Sequence, residues 1–144
     1  MTVATFEQDE IRFQYPENWT LASETGEEGV VSVSLQSPEN SCFFLERYNE
    51  QLDLVELAHQ MKEEMANEYK DLEFEADENN EELFGHSVTG YDLRFYCLDF
   101  LVLARLACLH VEDKTIVIMW QAESRLFEKN ELVYQAITKS LLTS

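Results

Sequence analysis

Leu101–Val111 and Thr115–Ala122 are apolar on both of the faces that a strand presents, and only Glu112, Asp113 and Lys114 separate them. A connection that short permits antiparallel pairing alone, because a parallel crossover takes a dozen residues or more. Antiparallel strands commonly wet one face, so two that are apolar on both sides need cover above and below. The expected fold is therefore α+β, a three-layer α/β/α sandwich around a central antiparallel sheet of about six to eight strands.

The pattern along the chain supplies the other elements. Ile11 and Phe13 alternate with Arg12 and Gln14 until Pro16, which has no ladder donor, stops the strand. Trp19–Ala22 resumes extended chain before an acidic tip at Glu24–Gly29. Val31, Val33 and Leu35 alternate with Ser32, Ser34 and Gln36, the clearest period of two in the chain and the mark of one wet face. After the turn Ser37-Pro38-Glu39-Asn40, Cys42–Tyr48 is a further strand. Asp53 followed by Glu56 has the form of a helix cap, and Leu54, Ala58, Met61, Met65 and Tyr69 then recur at helical spacing, so a helix is expected over Leu54–Lys70. Leu72, Phe74 and Ala76 alternate with acids up to a polar turn at Glu78–Glu82, and Leu83–Leu98 is expected as one long strand turning near Asp99. A C-terminal helix opens at Ser124 and turns Phe127, Val133 or Tyr134, Ile137 and Leu141 to the core. The order is thus one helix after the first four strands and one at the end. No repeat or linker divides residues 1–144, and one domain is expected.

Charge narrows the partners. Of the net −19, residues 1–82 carry 22 acids against 4 bases, and residues 83–144 carry 7 against 6. Affinity for nucleic acid comes mostly from Lys and Arg neutralising phosphates, and anionic membranes repel an acidic body in the same way. No nucleic acid and no membrane is expected as partner, whereas a basic protein suits this field. Cys42, Cys97 and Cys108 form no Cys-x-x-Cys pair and are odd in number, which fits reduced thiols in the cytoplasm. The first ten residues lack the basic and apolar segments of a signal peptide, so a soluble, cytoplasmic protein is expected.

No set of residues has the spacing of a nucleophile with its base, a metal cage or a phosphate loop. Glu56, His59 and Glu63 share a helical face, but it is the polar one and supplies too few ligands for a di-metal site. Ser87 beside His86 points to the opposite side of a strand and cannot pass it a proton. Gly26, Gly29, Gly85 and Gly90 never cluster. Cys97 and Cys108 sit in apolar strands and are expected in the core. No catalytic, metal or cofactor residue is assigned, and a non-enzymatic protein is expected; the one conceivable polar set is Arg105 with Asp92 or His110.

Arg105 stands out because it interrupts an otherwise apolar strand. It either pairs with a carboxylate such as Asp92 or Glu123, stands exposed, or lines an opening where a helical layer leaves the sheet bare. Trp19, Tyr91, Tyr96 and Trp120 are aromatic anchors for an interface or for the core. The candidate binding residues are thus Trp19, Tyr91, Asp92, Tyr96, Arg105 and Trp120.

Three stretches carry a resemblance: the opening Ile11-x-Phe13-x-Tyr15-Pro16-x-x-Trp19, the loop Gly85-His86, and Trp120-Gln121-Ala122-Glu123 leading through Phe127 to Ile137-x-x-Ser140-Leu141. In their order and spacing the chain resembles the PsbP-like superfamily, which includes PsbP, the Ran-binding Mog proteins and the DcrB-related proteins. The resemblance implies an antiparallel sheet between helical layers and an accessory or binding role. Taken with the cysteine usage, the absent signal segment and the acidic first half, in which the chain departs from exported members such as PsbP and DcrB, it points to a cytoplasmic domain that contacts a protein partner through its sheet face and acidic surface. A carrier of small molecules or hydrophobic segments, with an apolar pocket between sheet and helix, is the alternative. An edge strand such as Val31–Gln36 is open to pairing in a homodimer.

Overall fold

The computed structural model describes residues 2–76 and 82–143. Strands β1 (Val3–Gln8), β2 (Ile11–Pro16), β3 (Thr20–Thr25), β4 (Val31–Gln36) and β5 (Cys42–Tyr48) precede helix α1 (Leu54–Glu68). Strands β6 (Glu73–Ala76), β7 (Glu82–Leu83), β8 (His86–Ser87), β9 (Thr89–Cys97), β10 (Phe100–Val111) and β11 (Lys114–Glu123) lead to helix α2 (Ser124–Leu142). Seven strands form one antiparallel sheet in the order β3-β4-β5-β11-β10-β9-β6. The α+β sandwich expected from the two long apolar ribbons is present, with both ribbons at its centre.

Each face of the sheet has its own core. One, with Val33, Leu35, Phe43, Leu45, Leu109, Ile118 and Trp120, packs against Tyr134 and Ile137 of α2 and Phe6 and Phe13 of the β1–β2 hairpin. The other, with Leu93, Phe95, Ala104, Leu106, Cys108 and Val117, packs against Leu57 and Ala58 of α1. Alternation explains the split, since neighbouring residues on β10 and β11 point to opposite faces. The two covers are offset. α1 lies over β9 and β10, whereas α2 lies over β11, β10 and β2. Each leaves the far half of its own face open.

Several local expectations are refined. The strand Val3–Gln8 is additional to those drawn from the sequence: Phe6 pairs in register with Phe13, their rings stacked 5.2 Å apart. The expected ribbon Leu83–Leu98 is three strands, because the chain turns at Phe84-Gly85, both with positive φ. Val31–Gln36 is no edge: β4 lies between β3 and β5, and its hydroxyl row faces the side of α1, which does not reach so far. The edges are β3 and β6. Asp53 caps α1 as expected, its side chain accepting from the Glu56 N–H at 3.0 Å, but Ser124 is the first residue of α2, with Glu123 before it and no side-chain cap. Residues 78–81 of the expected polar turn lie outside the described residues.

Gly90 is required where it stands. A Cβ built on it would lie 1.8 Å from the Leu106 carbonyl oxygen, so only glycine lets β9 approach β10 this closely.

Candidate functional site

One row of cross-strand partners runs the width of the sheet on the α2 side: Leu21, Leu35, Phe43, Trp120, Arg105, Asp92 and Glu75. Its first four members lie under the hairpin and α2. Its last three emerge where that cover stops. The change from Trp120 to Arg105 marks the boundary between core and open face.

Arg105 closes this boundary. Its Nε donates to Asp92 Oδ1 at 3.1 Å and its Nη1 donates to Glu131 Oε1 of α2 at 3.2 Å, so one guanidinium ties β9 to the helix. The Trp120 and Phe127 rings lie 5.8 Å from its central carbon. Partial burial works against the charge, but hydrogen bonding and proximity to Asp92, then Glu131, outweigh it and hold the pKa above its ordinary value. Of the pairings considered from sequence, Asp92 is the one observed. Glu123 pairs instead with Arg125, and Glu131, which closes the bridge, carries no mark in the sequence beyond its place on a helix.

Two clefts flank this bridge. One, of about 340 Å³, is floored by Glu73, Glu75, Asp92, Arg94 and Leu103 and walled by Phe127. The other, of about 310 Å³, lies between Leu83, Phe84 and Val88, the sheet at Ala107 and Trp120, and Gln135 of α2. Charge is uneven in the first. Arg94 lies 3.7 Å from Glu73 and Arg105 holds Asp92, but Glu75, directly opposite Asp92, has no cation within pairing distance among the described residues. Like charges opposite one another on a sheet repel.

The six candidate residues do not converge. Asp92, Tyr96 and Arg105 share the open face, Tyr96 further along β9 and well exposed. Trp120 and Trp19 are buried, respectively stacked on Tyr134 and edge-on to it. Tyr91 points to the α1 side, where it packs with Phe74 and Lys62. His110 is on that side too, its ring against the Leu52 carbonyl at 2.7 Å, so it cannot act with Arg105 and Asp92. Cys97 is exposed rather than in the core, because β9 runs past the end of α1; Cys108 is buried as expected, and burial pushes its thiol up to about 12. His59 and Glu63, 3.9 Å apart, are solvated.

Charges that sequence reasoning missed include Lys62, which α1 carries into the core. Its ammonium lies 3.9 Å from the Phe74 ring centre and 3.3 Å from Glu63, an arrangement in which the stem is buried and the head stays paired. The sequence signal is faint, a lysine beside the apolar stripe. No helix among the described residues is long and apolar enough to cross a membrane.

Comparison with solved structures gives the class of this architecture. The chain is similar to cyanobacterial PsbP (CyanoP) from Synechocystis sp. PCC 6803, with TM-score 0.62 and 12% identity over 96% of this chain and 90% of that one. It is also similar to LpqN of Mycobacterium tuberculosis, a protein involved in cell envelope biogenesis, with TM-score 0.50 and 13% identity over 96% and 88% of the two chains. The fold is PsbP-like, as the opening and closing motifs indicated. No family model and no curated protein matches the sequence.

Proposed function

We propose that this protein is a non-catalytic binding domain of the cytoplasm that receives a basic segment of a partner protein on the open face of β10, β9 and β6. The observation that supports it most is Glu75 opposite Asp92: a surplus of negative charge on an uncovered sheet, beside an arginine already committed to two carboxylates. A lysine or arginine side chain entering there would relieve the repulsion. The net charge of −19 would speed encounter at low salt, and the three free thiols suit a reducing compartment. Accessory and binding roles also fit the fold, as an analogy.

The test is a titration of ¹⁵N-labelled protein with an octalysine peptide at low and moderate salt. Shifts should centre on Glu73–Glu75, Asp92 and Arg94, and Glu75→Gln with Asp92→Asn should weaken binding about tenfold, as loss of a charge pair does. Shifts spread over every acidic surface, or affinity unchanged in the double variant, would defeat the reading.

A second reading, a small-molecule carrier, has one observation in its favour. The cleft beside Leu83, Phe84 and Val88 is walled by apolar groups and sits at the lower end of the size range of ligand sites, about 300–1,000 Å³. Saturable uptake of the neutral dye Nile red, blocked by Gln135→Phe at the rim, would favour it. Absence of uptake would remove it.

A further inference from the structure

We propose that the cleft between the β7–β8 hairpin and α2 binds a compact, uncharged, mainly apolar molecule through a carbonyl oxygen that accepts a hydrogen bond from the Trp120 indole N–H. This rests on the reading of the same cleft as a carrier site and names the chemistry of the cargo. The observation behind it is an orphaned donor. Trp120 lies on the sheet side of the cleft and is 1% exposed, and its Nε1 has no hydrogen-bond partner among the described residues. Nearly every buried N–H in a folded protein is paired, because an unpaired one loses its hydration with nothing in return. The polar groups beside it cannot serve. Arg105 has donors alone, and Tyr134, its ring stacked 5.6 Å from the indole, donates its hydroxyl to the Gln121 carbonyl at 3.0 Å.

The hairpin wall of the cleft is built against local preference. Its turn is Phe84-Gly85, and Phe84 has φ 50°, a conformation that a bulky side chain rarely adopts. Leu83 and Val88, to either side, pack against the α2-side core and anchor the hairpin. Phe84 belongs to neither core; it is 38% exposed and lines the cleft. Backbone strain of this kind persists where the surroundings impose it, and it gathers at ligand sites.

The lining selects the ligand. An indole N–H can only donate, so its complement is an acceptor. A carboxylate or phosphate is the wrong one. The single cation in the lining, Arg105, is already held by Asp92 and Glu131, and Glu82 and Asp92 add negative charge in a chain of net −19. Leu83, Phe84, Val88 and Ala107 supply apolar contact around the rest. A ketone or amide on a hydrocarbon frame meets both demands, and a volume of about 310 Å³ places it among small ligands.

A pair of probes equal in shape tests the proposal on the unaltered chain: 2-acetylnaphthalene, and 2-isopropenylnaphthalene, in which a CH₂ replaces the carbonyl oxygen. In displacement of Nile red the ketone should bind roughly tenfold more tightly, since only the ketone pairs the buried N–H. Apolar burial alone predicts the reverse order, because the alkene is the more apolar of the two. The chain has two tryptophans, so its ¹⁵N spectrum holds two indole signals, which Trp19→Phe assigns. The Trp120 signal should move downfield with the ketone and stay in place with the alkene, and Gln135→Phe at the rim should abolish binding of both. Equal affinity for the two probes, with the Trp120 signal unmoved, overturns this inference and leaves the carrier reading standing. Displacement that survives Gln135→Phe puts the probes elsewhere and overturns it as well. Failure of the dye and of both probes to bind removes the carrier reading and the inference together.

Discussion

The two halves of the sheet are covered from opposite sides, and their open faces are not alike. Over β3, β4 and β5 the bare side carries Ser32, Ser34, Gln36 and Glu46, with Phe44 half-buried among them, around a depression of about 210 Å³. Over β10, β9 and β6 the bare side carries Glu75, Asp92, Arg94 and Arg105 around two clefts. Both are wet faces of amphipathic strands, but only the second is bordered by a helix and a small hairpin that give it walls. Polarity alone therefore leaves a solvated surface. Polarity against the rim of a covering layer makes a place where a partner can be held.

The sharpest way to break that contrast is to change one aromatic on each side of the boundary. Trp120→Ala, in the covered part of the row, should cost about 3–5 kcal/mol in a urea titration, because a fully buried side chain leaves a cavity. Tyr96→Ala on the open side should cost under about 0.5 kcal/mol. Comparable losses would show that the open face is in fact packed.

High pH provides a second separation. Burial pushes the Cys108 thiol from 9.0 to about 12, and Tyr134, also first by burial, from 10.0 to about 12. Folded-state values above the unfolded ones mean stability that is complete below pH 9 and lost as pH rises towards 12, since the unfolded chain ionises first. At pH 10 the protein should be about 1–2 kcal/mol less stable than at pH 7. Cys108→Ala should flatten much of that slope. A slope unchanged in that variant would contradict the burial of its thiol.

The smallest effect is expected at the boundary itself. Arg105→Met keeps the stem against Trp120 and Phe127 and removes the bridge, and for a pair this exposed the loss should be about 0–1 kcal/mol in a double-mutant cycle with Glu131→Gln. Octalysine should bind the variant more tightly, because Asp92 and Glu131 are released. Weaker binding would mean that Arg105 itself contacts the peptide.

Much of the fold was legible because periodicity records burial. The two-sided apolar ribbons placed β10 and β11 at the centre, the Ser-x-Ser row gave β4 its wet face, and Asp53 with Glu56 fixed the start of α1. The site was legible in part. Arg105 and Asp92 were named together because a charge inside an apolar strand needs an acceptor. Glu131 was not, since it lies 26 residues from Arg105 and only the packing of α2 brings it there. Cys97 was misplaced because how far a helix reaches depends on where it ends, and β9 runs on beyond α1.

The chain's own pattern of apolar and polar residues determined its strands, its helices and the need for cover on both sides of the central ribbons, since burial of apolar surface acts wherever the layers happen to lie. Tertiary structure alone decided that the two covers would be offset. That offset turns the far ends of both faces to solvent, and no residue encodes it locally because it arises from the sum of contacts across the sheet.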